Sequence, residues 1–357
     1  MKTKFYRQIL STAALSMLFL SACDKNEDDF TPIEPVEGLI TATLKNDYSQ
    51  QVFVDLSTGN TKEIDNAAWD IAFDPTGLHL RTNNTNNVSA AITDAPTLED
   101  VTDVEGLEFK YDNTNGDLDM TAIGEWEVNT VYVFDFGRSM AGEHRGYKKL
   151  IIKELSGDHM DMEYADLDGA NEKDVHLDLN SDATTYFSLM TGSSVDIEPK
   201  EWDLLITGSA VRTGAPCQAM GPAAMPGVNC DIYRLAATVL NNRASNTAIA
   251  IDNPSGMEGN DDPDSKINNM TISDSNYDEI TNVMSEGMSY SKDGDAIGRS
   301  WNHILTPHSD GKYKVYDFIT YVLTDQEGKR YKLRFHTIKN PNTGEIAPSF
   351  EYEELLP

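Results

Sequence analysis

The side chains of this sequence that could hold a ligand fall into a few groups. Thioethers and imidazoles gather toward the C-terminus, with Met284 and Met288 in NVMSEGMSY and His303 and His308 in WNHILTPHSDG. Iron accepts nitrogen and thioether donors of this kind. Met220 and Met225, within CQAMGPAAMPGVNC, are secondary thioether candidates, while His144 and the His159-Met160-Met162 group read as surface features. Signatures of catalysis are missing: the sequence has no GxSxG, P-loop, HExxH or GxGxxG, and its carboxylates show no pairing that singles out an acid and a base. These residues point to a binding protein rather than an enzyme.

The scaffold that must position them is written twice. The segment from Phe53 (FVDLSTGNTKEIDNAAWDIAF) matches the one ending at Ile206 (FSLMTGSSVDIEPKEWDLLI) without a gap. The constant offset pairs Leu56 with Leu189, Gly59 with Gly192, Ile64 with Ile197, and Trp69-Asp70 with Trp202-Asp203. Later matches pair Trp126 with Trp301, Tyr147-Lys148 with Tyr331-Lys332, and Glu163-Tyr164 with Glu351-Tyr352. Trp69 and Trp202 read as core anchors of their strands. The expected organisation is a first unit over 41–170, a polar linker over 171–183 and a second unit over 184–357, each large enough to close its own core.

Strand patterns dominate both units. Lys312–Thr324 is rich in aromatic and β-branched residues, Asp325–Gly328 supplies a turn, and Arg330–Lys339 alternates apolar with polar residues. A strand from Ser349 to Leu355 completes a meander, and Thr130–Phe136, Tyr147–Glu154 and His159–Leu167 repeat the plan. A short helix is expected over Asn276–Glu286, and the stretch from Arg234 to Ile251 suits either helix or strands. The fold class is all-β: two antiparallel, sandwich-like domains in tandem.

The first 22 residues read as an export signal, with Lys2, Lys4 and Arg7 ahead of an apolar run and Leu20-Ser21-Ala22-Cys23 resembling a bacterial lipobox. Cys23 would carry the lipid, and the acidic residues 23–40 behind it would form a flexible tether. The formal charge of −31 excludes nucleic acid, whose phosphates demand a basic surface. Asp252–Lys266 is a dense acidic stretch without calcium-loop spacing, expected to be a mobile surface insertion. In an exported chain, Cys217 and Cys230 are expected to form a disulfide, worth about 3 kcal/mol in the loop-entropy picture.

Taken in order, YFSLMTG, WDLLI, the Arg-Thr dipeptides (Arg81-Thr82 and Arg212-Thr213), Trp301, DQEGKRYKLRF and FEYEEL resemble the HmuY-like haemophore family of Bacteroidetes. The second unit covers nearly the whole family domain, and the first is a shorter copy that lacks a haem loop. The resemblance implies a lipid-anchored protein of the outer membrane, exposed at the cell surface. It would take up haem or a related porphyrin and pass it to an outer-membrane transporter. It further implies axial ligands on either side of Trp301: Met284 or Met288 before it, and a histidine after it. The second family position falls nearest Thr306, so His308, two residues on, is the expected donor, with His303 beside it. The alternative is a glycan- or protein-binding module on the same scaffold.

Overall fold

The computed structural model describes residues 34–137, 143–211, 233–259, 262, 264–304 and 313–357. Cys23, Cys217, Cys230, Met220, Met225, His308 and Arg212-Thr213 lie outside them. Strands in the first half are β1 (Glu37–Thr41), β2 (Gln50–Asp55), β3 (Asn60–Asp65), β4 (Ile71–Phe73), β5 (His79–Thr82), β6 (Ser89–Ile92), β7 (Gly124–Glu125), β8 (Val131–Asp135), β9 (Tyr147–Ser156) and β10 (His159–Asp166). Next come β11 (Lys173–Asp178), β12 (Thr185–Ser188), β13 (Ser193–Val195), β14 (Leu204–Val211), β15 (Tyr233–Asn241) and β16 (Ala248–Asp252). Two helical turns, α1 (Lys266–Asn269) and α2 (Asn282–Glu286), precede β17 (Asn302–Ile304), β18 (Tyr313–Val315), β19 (Thr320–Thr324), β20 (Arg330–Lys339) and β21 (Ile346–Glu354).

The protein is β-rich and antiparallel, as its alternating patterns require. Among the described residues, four main sheets have the orders β11-β10-β9-β8-β6, β13-β12-β4-β5-β7, β15-β14-β2-β3 and β1-β21-β20-β19-β16. Parity along single strands shows how they stack. On β4, Ile71 and Phe73 enter one core with Phe134 and Leu150, whereas Ala72 faces Phe53, Tyr186 and Leu205. On β2, Val52 and Val54 enter another core with Trp301 and Phe335, while Phe53 turns the other way. Successive strand residues point to opposite faces, so β2 and β4 are buried on both sides. The result is four layers: two sandwiches whose inner sheets pack against each other.

The repeats are interlaced. The β2–β3 hairpin of the first copy pairs through β2 with β14 of the second, and the β12–β13 hairpin of the second pairs through β12 with β4 of the first. Equivalent residues exchange equivalent bonds. Asp203 N donates to Val54 O (2.8 Å), and Asp70 N donates to Phe187 O (3.0 Å). Leu56 N donates to the Asp203 carboxylate (2.8 Å), and Met190 N, one residue beyond the repeat equivalent of Leu56, donates to that of Asp70 (3.2 Å). Behind each Trp-Asp pair an asparagine closes the turn: Asn83 Nδ2 donates to Trp69 O (2.8 Å), and Asn242 Nδ2 to Trp202 O (3.0 Å).

This topology corrects the expected linker. Lys173–Asp178 is β11, paired along its length with β10, and residues 35–357 form one compact unit. One sandwich is built from β4 to β13, a continuous stretch, while the other combines β1 to β3 with β14 to β21. The stretch from Arg234 to Ile251 resolves as β15 and β16, with Asn246 in the left-handed region (φ 61°) at the turn between them. The helix expected over 276–286 breaks at Ile280, which is extended (ψ 115°); α2 starts afresh where Thr281 Oγ1 accepts from Met284 N. The long strand expected over 312–324 is likewise broken into β18 and β19. Met160 and Met162 are buried in the core of the first sandwich rather than exposed, because they share the inward parity of β10 with Tyr164. In the acidic stretch, Ser255 is buried and its carbonyl accepts from Lys266 Nζ (3.2 Å), which ties its two ends together.

Candidate functional site

The C-terminal donors occupy two separate places. His303 lies on β17, half-buried, and pairs with Lys314 across β18. Two residues earlier, Trp301 is fully buried and stacks on Phe335 at 4.4 Å. Met284 is exposed on α2, and Met288 is half-buried against Ala250, Ile280, Val322 and Leu355. Along β19, Tyr321 and Leu323 pack into the core that holds Trp301, whereas Val322 packs on the opposite face with Met288. The outer sheet therefore stands between Met288 and Trp301.

The separation along the sheet is also large. Arg330, at the start of β20, holds α2 through Asn282 (3.0 Å) and Glu286 (3.5 Å). Tyr313, which pairs with Ile304, lies under Lys339 at the far end of β20, 5.5 Å from ammonium to ring. At about 3.3 Å per residue those ends are roughly 30 Å apart. The structure does not bring Met284 or Met288 to His303 as two ligands of one iron atom. Among the described residues no cluster of three or more His, Cys, Asp or Glu side chains could hold a metal ion.

A second place was not anticipated. Between the inner sheets lies a cleft of about 500 Å³. Its aromatic wall repeats the internal symmetry: Trp69 meets Tyr186 edge to face (4.9 Å, 79°), and Trp202 meets Phe53 in the same way (5.0 Å, 76°). Glu198 accepts from Trp202 Nε1 (2.7 Å) and from the Tyr186 hydroxyl (3.0 Å). Burial, and then the Glu198 charge, push the Tyr186 hydroxyl far above its ordinary pKa, so it remains a donor. At the Trp69 end the equivalent acid, Asp65, caps its own turn by accepting from Ala67 N (2.8 Å). Trp69 Nε1 is buried without a partner.

Asp112 lines the cleft beside Arg81 and accepts from Thr82 N (2.9 Å), Thr82 Oγ1 (3.0 Å) and Ala122 N (2.9 Å). Burial raises the Asp112 pKa, and these bonds together with Arg81 oppose the rise. The lining residues Arg81, Tyr186 and Glu198 were not singled out as ligand-contacting from the sequence. Their signal is parity: Phe53 and Tyr186 hold the same repeat position, and both point away from their own sandwich core.

The family model described as HmuY protein matches residues 180–352. No curated protein matches the chain. Among solved structures, apo PinO from Porphyromonas gingivitis is similar over 90% of this chain and 97% of its own, with 9% identity and a TM-score of 0.31. The apo HmuY analog of Tannerella forsythia covers 91% and 98%, at 11% identity and a TM-score of 0.30. A HmuY-like heme binding protein of Bacteroides vulgatus covers 57% and 90%, at 12% identity and a TM-score of 0.20.

Proposed function

We propose, from the match of residues 180–352 to the HmuY protein model, that this chain is a non-enzymatic, lipid-anchored protein of the outer membrane that captures haem or a related porphyrin. The observation that supports this is the family match, which spans both histidines of the 303–308 segment. The donor chemistry at His303 is compatible: a half-buried imidazole beside β18, whose Tyr313 and Val315 lie against the apolar core. Bound haem would supply an iron that accepts imidazole nitrogen. In this reading His308 is the first donor and His303 the second. The thioethers of Met284, exposed on α2, and of Met288, on the other face of the sheet, are silent. Delivery to an outer-membrane transporter completes the role.

Haemin titration of the mature chain, followed by absorbance, tests the reading. Wild type should show a sharpened Soret band of low-spin ferric haem. His308→Ala and His303→Ala should shift the spectrum toward high spin and weaken binding, while Met284→Ala and Met288→Ala should leave it unchanged. A wild-type chain that leaves the haemin spectrum unaltered refutes haem capture.

A further inference from the structure

The cleft between the inner sheets owes nothing to the histidine segment, and its chemistry is of another kind. Arg81 lines it, half-buried, on β5. Among the described residues it is the one lining arginine with neither a hydrogen bond nor an ion pair; Arg243, by contrast, lies against Asp117 (3.4 Å) and Asp293 (3.9 Å) and donates to Asn115 O (3.1 Å). The buried acids nearby are already committed: Asp112 to Thr82 and Ala122, and Asp74 to Thr76 and to His79 N. Glu198, half-buried, is held between Trp202 and Tyr186. The Arg81 guanidinium, with the Asp112 charge nearby but no hydrogen bond among the described residues, is a ready fork for a planar oxyanion.

Three further observations narrow the ligand. The volume suits a small molecule. The walls offer the half-buried rings of Trp202 and Tyr186, and Asn84, Asn113 and Thr184 bring amide and hydroxyl groups to the lining. That mixture of flat apolar surface and dispersed hydrogen-bonding groups fits the CH face and hydroxyls of a sugar ring. The chain carries a formal charge of −31, which repels a dianionic phosphate more than a singly charged carboxylate.

We propose that this cleft is a separate binding site for an acidic sugar, with the carboxylate of a uronic acid on Arg81 and its ring against Trp202 and Tyr186. The site is independent of haem capture and stands or falls without it.

Calorimetric titration of the full mature chain with galacturonate and glucuronate, and with galactose and glucose as neutral counterparts, tests the proposal. Uronates should bind, and the neutral sugars should bind about ten- to a hundred-fold more weakly, the weight of a charge-assisted hydrogen-bond pair. Arg81→Gln should weaken uronate binding by a similar factor and leave the haemin titration unchanged, while Arg81→Lys should retain part of the affinity. Circular dichroism melts of both variants identify any loss of folding, and the lysine variant keeps the charge beside Asp112. The proposal is overturned if wild type binds neither uronate, if neutral sugars bind equally well, or if a folded Arg81→Gln binds uronate as wild type does. An effect of Arg81→Gln on haemin rather than on uronate would also overturn it.

Discussion

Asp203 should make the stability of this protein fall as pH rises. It is buried where the hairpins exchange, and it accepts one hydrogen bond, from Leu56 N. Burial first, and then the charges of Asp325, Asp55 and Glu327, lift its pKa from 3.8 to about 7. Its repeat partner Asp70 is also raised by burial, but there bonds from Met190 N, Ser188 Oγ and Leu189 N, together with the Arg145 charge, oppose the rise. Between the two pKa values of Asp203 the native state keeps a proton that the unfolded chain has released. Stability from this group is therefore full below the unfolded value and is lost as pH climbs through the folded one. A gap of about three pKa units corresponds to about 4 kcal/mol in total, most of it lost by about pH 7.

Asp203→Asn keeps the shape and an acceptor for Leu56 N, and it removes the titration. Urea unfolding of both proteins at about pH 5 and about pH 8 should show the mutant gaining roughly 2 to 3 kcal/mol on wild type between the two conditions. Taking the difference across pH cancels the fixed cost of burying an amide. If the gap between the proteins is the same at both pH values, the carboxylate is not held protonated and the reasoning fails.

The interlaced topology predicts that a fragment spanning residues 66–200 folds alone, with a strand-rich circular dichroism spectrum and a cooperative melt, because β4 to β13 pair only among themselves. A fragment from residue 182 onward should fail that test, having lost the β1 and β2 partners of β21 and β14; a cooperative melt from it would contradict the strand exchange. For the anchor, Cys23→Ala should move the protein out of the detergent phase or block its maturation. Unchanged partitioning together with unchanged mature mass would rule out lipidation at that residue.

Much of the strand content was legible because alternation survives translation into structure. Arg330–Lys339 is β20 over its predicted length, and the turn at Asp325–Gly328 joins it to β19. The duplication was legible too, down to the Trp-Asp pairs. Which strand lies beside which was not, since the pairing bonds are made by backbone groups and carry no residue signature. Apolar parity says that β2 hides both faces; it does not say that β14 of the other copy lies at its side. The polar stretch after residue 170 misled for a related reason. On β11 only Leu177 is buried, so an edge strand solvated on most of its surface has the composition of a tether. Met288 and the histidine at 303 are near in sequence, and the outer sheet divides them. The Arg81-Thr82 dipeptide was legible as a family marker, but the placement of its guanidinium in the cleft, free of hydrogen bonds among the described residues, could be seen only in three dimensions.

The exchange of hairpins also fixes an order of assembly. In a chain made from its N-terminus, β1 and the β2–β3 hairpin emerge first, and β1 and the outer edge of β2 find no partner, since β21 and β14 have yet to appear. The sandwich of β4 to β13 is the earliest part that can close, and it must do so while three finished strands wait outside it. Only when Glu353 arrives opposite Glu37 does the second sandwich seal, with the two ends of the described chain side by side in one sheet. Pairings this distant in sequence close slowly and leave strand edges bare in the meantime. The first copy's leading strands are thus a debt of unpaired backbone that the last strand of the chain discharges.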